Sequence, residues 1–140
     1  KRIIMYTQIH VPVRPLGAPH YLDSRVAALC SAAVTIARQV HADAIICETK
    51  SGATAQHIAA HRPHVPIMSV TSDTRVSQQM ALLYATKSFL RPDGERAGVG
   101  LAEELVDQEY LPHPSTVVIV SGRQPGVQGA TDTIRVRRIE

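Results

Sequence analysis

Residues 44–63, AIICETKSGATAQHIAAHRP, decide the fold. Ala44 to Cys47 form a short apolar run built around two β-branched isoleucines, the pattern of a strand buried on both faces. TKSG, residues 49–52, is turn chemistry, and beyond it Ala55, Ile58 and Ala59 recur at helical spacing. The helix must stop near Arg62, because Pro63 disfavours helical geometry in the residue before it. A buried strand leading through a tight turn into a helix is the first half of a parallel crossover.

The same unit recurs along the chain. Before it, Val26, Leu29, Cys30, Ala33, Ala37 and Val40 mark a helix within Leu22 to Val40, which Asp23 or Ser24 could cap. After it, IMSV at 67–70 reads as a strand, Asp73 as a helix cap, and Val76, Met80 and Leu83 as one helical face. Thr86 to Leu90 reads as a third strand and RPDG as a turn. Val99, Ala102, Leu105 and Val106 form the buried stripe of a helix that Gly98 and Gly100 weaken. VVIV at 117–120 is the strongest strand pattern of all. The segment between Val120 and Thr133, SGRQPGVQGATD, has no helical stripe and so cannot carry a parallel crossover. The last strand is therefore expected to run antiparallel at a sheet edge, burying Ile134 and Val136 and exposing Thr133, Arg135 and Arg137. The fold class that results is α/β, with helices on both faces of a mainly parallel sheet.

Composition agrees with one globular domain. The chain has 140 residues, 44% hydrophobic and 19% charged. Residues 1–21, with three prolines in VPVRPLGAPH, read as an extended connector, and residues 22–140 as the folded domain. No apolar run approaches the ~18 residues of a membrane span, and KRIIMYTQIH lacks the features of a secretory signal, so a cytoplasmic location is expected. Cys30 and Cys47 sit in apolar patterns outside any CxxC or metal spacing, as buried reduced thiols do. A formal charge of +3, one Phe, no Trp and four Tyr give little support to nucleic-acid binding.

The chemistry concentrates in two loops. Thr49, Ser51 and Thr54 supply hydroxyl donors, Lys50 a cation, and Gly52 a place where backbone can approach a ligand. The helix behind them presents unpaired N–H groups and a positive dipole end, and together these are the parts of a phosphate cradle. Local pattern alone equally allows Ser51 to be a helix cap and Thr49 a strand end, since neither GxxxxGK[ST] nor GxGxxG spacing is present. If the first and fourth strands are neighbours where the sheet order reverses, their carboxyl ends share one crevice. The TKSG loop then faces SGRQPGVQG, whose Ser121, Arg123 and glycines suit a phosphorylated small molecule.

Those motifs carry a resemblance. TKSG, HRPHVPI, VTSDTR, SGRQPG and TDTIRV stand in the order and register of the C-terminal domain of pyruvate kinases, and the likeness covers residues 24–138. It implies a three-layer α/β/α sandwich around a five-stranded, mostly parallel mixed sheet with its last strand antiparallel. In many members this domain binds a sugar bisphosphate or monophosphate effector and helps to form the tetramer. By position, Thr49, Lys50, Ser51, Gly52 and Thr54 match the loop that grips one effector phosphate. Arg123, Gly126 and Gly129 match the loop that folds over the sugar, and Arg96 a basic residue that holds a second phosphate. The segment from Arg91 to Glu95 is shorter than in the bisphosphate-activated enzymes and has no tryptophan, so a sugar monophosphate, or a bare phosphate or sulfate, fits as well as a bisphosphate.

The resemblance also implies what this stretch lacks. Phosphoryl transfer from phosphoenolpyruvate to ADP belongs to a separate barrel, where the family uses magnesium and potassium, and the motifs here offer no catalytic residues, metal ligands or cofactor site of their own. The expectation is a regulatory and oligomerising domain that works with such a barrel in a homo-oligomer, and Lys1 in place of a starting methionine favours a fragment of that larger enzyme. The alternative is a standalone relative that binds or acts on a phosphorylated metabolite.

The remaining candidates have plainer readings. His57, His61 and His64 lack a completing carboxylate or cysteine for metal and read as solvent-facing. Ser121 lacks a nucleophile elbow. Glu103, Glu104, Asp107 and Glu109 read as a solvated helix face and Met68 and Met80 as core, while Arg135, Arg137 and Arg138 read either as edge-strand charge or as cations serving the phosphate crevice or a subunit contact.

Overall fold

Nine elements alternate along the residues that the computed structural model describes, 25–122 and 130–140. They are α1 (Arg25–Gln39), β1 (Ala44–Glu48), α2 (Ala53–Ala60), β2 (Ile67–Thr71), α3 (Thr74–Met80), β3 (Thr86–Leu90), α4 (Ala97–Asp107), β4 (Ser115–Gly122) and β5 (Thr131–Ile139). The connector at 1–21, the caps Asp23 and Ser24, and Arg123, Gly126 and Gly129 lie outside the described residues.

The sheet order is β3-β2-β1-β4-β5. Strands β1 to β4 are parallel, and β5 returns antiparallel on β4, with Val120 opposite Ile134, as the loop chemistry before it required. A shift in register at Ser121 and Gly122 marks the point where the two strands part into the intervening loop.

Period-two alternation sorts the strand side chains between two cores. Ile45, Cys47, Ile67, Val118 and Val120 face α1, α2 and α3, where they pack on Cys30, Ala33, Ile58 and Met80. Ala44, Ile46, Met68, Val117 and Ile119 face α4 and meet Leu101, Ala102 and Leu105. This gives the expected three layers, with three helices on one face and one on the other. Each fully buried Ile or Leu contributes about 1.5–3 kcal/mol of burial free energy. Cys30, Ala33 and Ala37 of the expected α1 stripe are buried, whereas Val40 lies past the end of the helix and is 38% exposed. Asp73 caps α3 as expected by accepting from Arg75 N and Val76 N at 2.8 and 3.0 Å.

Three further expectations need correction. Val136 is 46% exposed, so the edge strand buries less than its alternation suggested. His57 and His61 are half-buried rather than fully solvent-facing, and burial together with the neighbouring His61 lowers the pKa of His57. Gly98 is not a flaw in α4 but a contact residue. It is buried against the sheet, where an added Cβ would lie 2.8 Å from Glu48 Oε1 and 3.0 Å from Ile119 Cγ2.

Candidate functional site

Strands β1 and β4 are adjacent, with Cys47 opposite Val120, and the connections that follow them lead toward opposite edges of the sheet. Their carboxyl ends therefore diverge into a crevice, the position that open α/β sheets offer to ligands. A cavity of about 70 Å³ occupies it, bordered by Glu48 to Ser51, Ala53, Thr54, Arg91 to Gly94, Gly122 and Thr131. Each water needs about 10–15 Å³ of such space, so the cavity admits a group of a few heavy atoms. The TKSG loop and the two ends of the β4–β5 connection thus border the same space.

The TKSG turn is held by its own side chains. Gly52 adopts φ 84°, a left-handed conformation that other residues reach only with strain. It stands at the N-cap of α2, where it has no side chain with which to cap the helix. Thr49 Oγ1 accepts from Gly52 N at 2.9 Å, and Ser51 Oγ accepts from Ala53 N at a long 3.4 Å. Both hydroxyls still have a proton to donate. Thr54 is buried at the crevice floor, its hydroxyl 3.1 Å from that of Thr131, and so ties α2 to the start of β5.

Lys50 spans the mouth. Its Nζ donates to Ser72 Oγ at 2.8 Å, at the end of β2, and to Asp93 Oδ2 at 3.0 Å, in the loop between β3 and α4. The Lys50 ammonium holds the Asp93 carboxyl below its ordinary pKa range. Arg91 is also committed, its Nη2 donating to both oxygens of Glu104 at 2.8 Å. Arg96 pairs with Glu103 at 3.3 Å, is strongly exposed, and lines a different hollow along the start of α4.

Beneath the crevice lies a network that sequence reasoning missed. Glu48 Oε1 accepts from Gly98 N at 2.9 Å, joining the end of β1 to the first turn of α4. Burial raises the Glu48 pKa, with the Gly98 amide and the Arg135 charge opposing the rise. Arg135 donates to Ser121 Oγ at 3.0 Å while its Nε is buried without a hydrogen-bond partner among the described residues. The one available signal was a glutamate ending an otherwise apolar strand. The cysteines are buried as expected: burial pushes the Cys30 thiol up to about 12 and that of Cys47 higher still.

These features define a doubly wound α/β domain with a polar crevice at its switch point. The chain belongs to the pyruvate kinase family: the family described as "Pyruvate kinase, alpha/beta domain" matches residues 27–137. Among curated relatives, pyruvate kinase 2 of Synechocystis sp. is 34% identical over 119 residues, covering 81% of this chain and 20% of that protein. A pyruvate kinase of Agrobacterium vitis is 30% identical over 96% of this chain and 30% of its own length. One from Mycobacterium intracellulare is 30% identical over 93% of this chain and 26% of its own. The chain thus spans between a fifth and a third of the relatives it matches, and the match falls on the fold that the quoted motifs implied. Among the described residues no helix is long and apolar enough to cross a membrane.

Proposed function

We propose that this chain is the effector-binding and assembly domain of a pyruvate kinase, and that the crevice over β1 and β4 seats the phosphate group of a small phosphorylated metabolite. The observation that carries the reading is the convergence of the TKSG turn, the uncapped N-terminus of α2 and the ends of the β4–β5 connection on one cavity. A phosphate there would meet the first-turn amides and dipole of α2, the hydroxyls of Thr49 and Ser51, and the ammonium of Lys50. The family resemblance gives Arg123, Gly126 and Gly129, which lie between β4 and β5 in the sequence, the role of holding the sugar. Arg96, paired on the outside of α4, is less well placed for a second phosphate, which favours a monophosphate over a bisphosphate.

Catalysis would belong to a barrel domain joined to this one in a homo-oligomer. Occupancy of the crevice would act on it by favouring one subunit arrangement, typically by ~1–3 kcal/mol. The site is tested by thermal shift against inorganic phosphate, sulfate, and sugar mono- and bisphosphates. A ligand at about 100 times its Kd stabilises a protein by about 2.7 kcal/mol. For a domain of this size that raises Tm by roughly 10 °C. The Lys50→Ala, Ser51→Ala double variant is expected to lose the shift. No shift with any of these compounds, or an equal shift in the variant, would overturn the reading.

A further inference from the structure

Resting on that reading of the crevice, we propose that Asp93 is a specificity-determining residue. Its carboxylate occupies Lys50 as an internal competitor, so that only an anion of higher charge than a single carboxylate takes its place. The geometry points there directly. Two of the three donors of the Lys50 ammonium are engaged, one by the Ser72 hydroxyl and one by Asp93.

Charge balance makes the contact consequential. Among the described residues four ionisable side chains border the cavity, Glu48, Lys50, Arg91 and Asp93, and Arg91 is already paired with Glu104. With Lys50 held by Asp93, an arriving anion finds no uncommitted cation among these bordering residues and meets carboxylates beside it. With Asp93 swung away, the same anion gains the ammonium and loses the nearest repulsion.

The energetics allow the exchange. The Lys50 and Asp93 side chains are 38% and 41% exposed, and ion pairs of that exposure add little to stability. The loop can therefore release Asp93 without unfolding. A dianionic phosphate monoester, offering three acceptor oxygens to Lys50, the two hydroxyls and the α2 amides, outcompetes it. A monoanionic carboxylate offers no more than Asp93 already does. The ligand class selected is a dianionic phosphate ester, against monoanions.

The test is titration of the chain with inorganic phosphate at pH 8, where phosphate is mainly dianionic, and with acetate as the monoanion. Wild type, Asp93→Asn, Lys50→Ala and the double variant are compared, with Asp107→Asn on the exposed end of α4 as a charge control. Asp93→Asn is expected to tighten phosphate binding about two- to fivefold and to reduce the preference for phosphate over acetate. The gain should vanish in the Lys50→Ala background and be absent from Asp107→Asn. If wild type and Asp93→Asn bind phosphate equally, the competitor role is overturned while the phosphate seat stands. If the gain persists without Lys50, or appears in Asp107→Asn, Asp93 acts only through general repulsion and the proposal fails. If neither wild type nor Asp93→Asn binds phosphate, the seat itself fails.

Discussion

A methyl group added at Gly98 would sit 2.8 Å from Glu48 Oε1 and 3.0 Å from Ile119 Cγ2, whereas one added at Gly100 would meet nothing within 4 Å. Read along the helix, both glycines only weaken α4, each by about 1 kcal/mol relative to alanine. Read across the sheet, they differ. Gly98 lets α4 approach close enough for its amide to reach Glu48, a contact between residues 50 positions apart that no local pattern announces. Gly100→Ala is accordingly expected to stabilise the chain by about 0.5–1 kcal/mol. Gly98→Ala should instead destabilise it, by up to about 2 kcal/mol, because overpacking of about 1–3 kcal/mol offsets the gain in helix propensity. Urea unfolding of the two variants reads the difference, and equal effects would mean that α4 is free to shift away from β1.

At the scale of elements, what is local in the chain was legible and what is not local was not. The strand at 44–48, the strand at 86–90 and the antiparallel return of β5 follow from short apolar runs, turn residues and the absence of a helical stripe. The exposure of Val136, the partners of Lys50 and the Glu48, Ser121 and Arg135 network depend on which elements meet, and periodicity is silent on that. The placement of TKSG was legible through topology, since two strands at a switch point must share a crevice. Helix α3 shows how far local chemistry reaches. It has seven residues, too few to persist on propensity, and holds through Asp73 at its start and Met80 in the core. Asp73→Ala should therefore cost about 0.5–2 kcal/mol in chemical denaturation, and Asp73→Asn, which keeps the accepting oxygen, should recover most of it. A loss as large in Asp73→Asn would show that charge rather than capping holds the helix.

On the scale of the molecule, one sheet serves both cores, so neither face can open without exposing the strands that support the other. Cys30 on α1 and Cys47 on β1 lie on the same side of that sheet in a single buried cluster, which makes their thiols reporters of whole-molecule opening. With the Cys30 thiol pushed up to about 12, only about one in ten thousand is ionised at pH 8 in the folded chain, and the Cys47 thiol is shifted further in the same direction. Unfolding restores both to ordinary cysteine reactivity. Alkylation by iodoacetamide at pH 8 should therefore be negligible for both in the native chain. It should rise together for both through the urea transition, at the midpoint seen by circular dichroism. Rapid modification of Cys30 alone under native conditions would show that α1 detaches from the sheet by itself. The domain would then be a stable sheet with a separately opening helix, and not one cooperative unit.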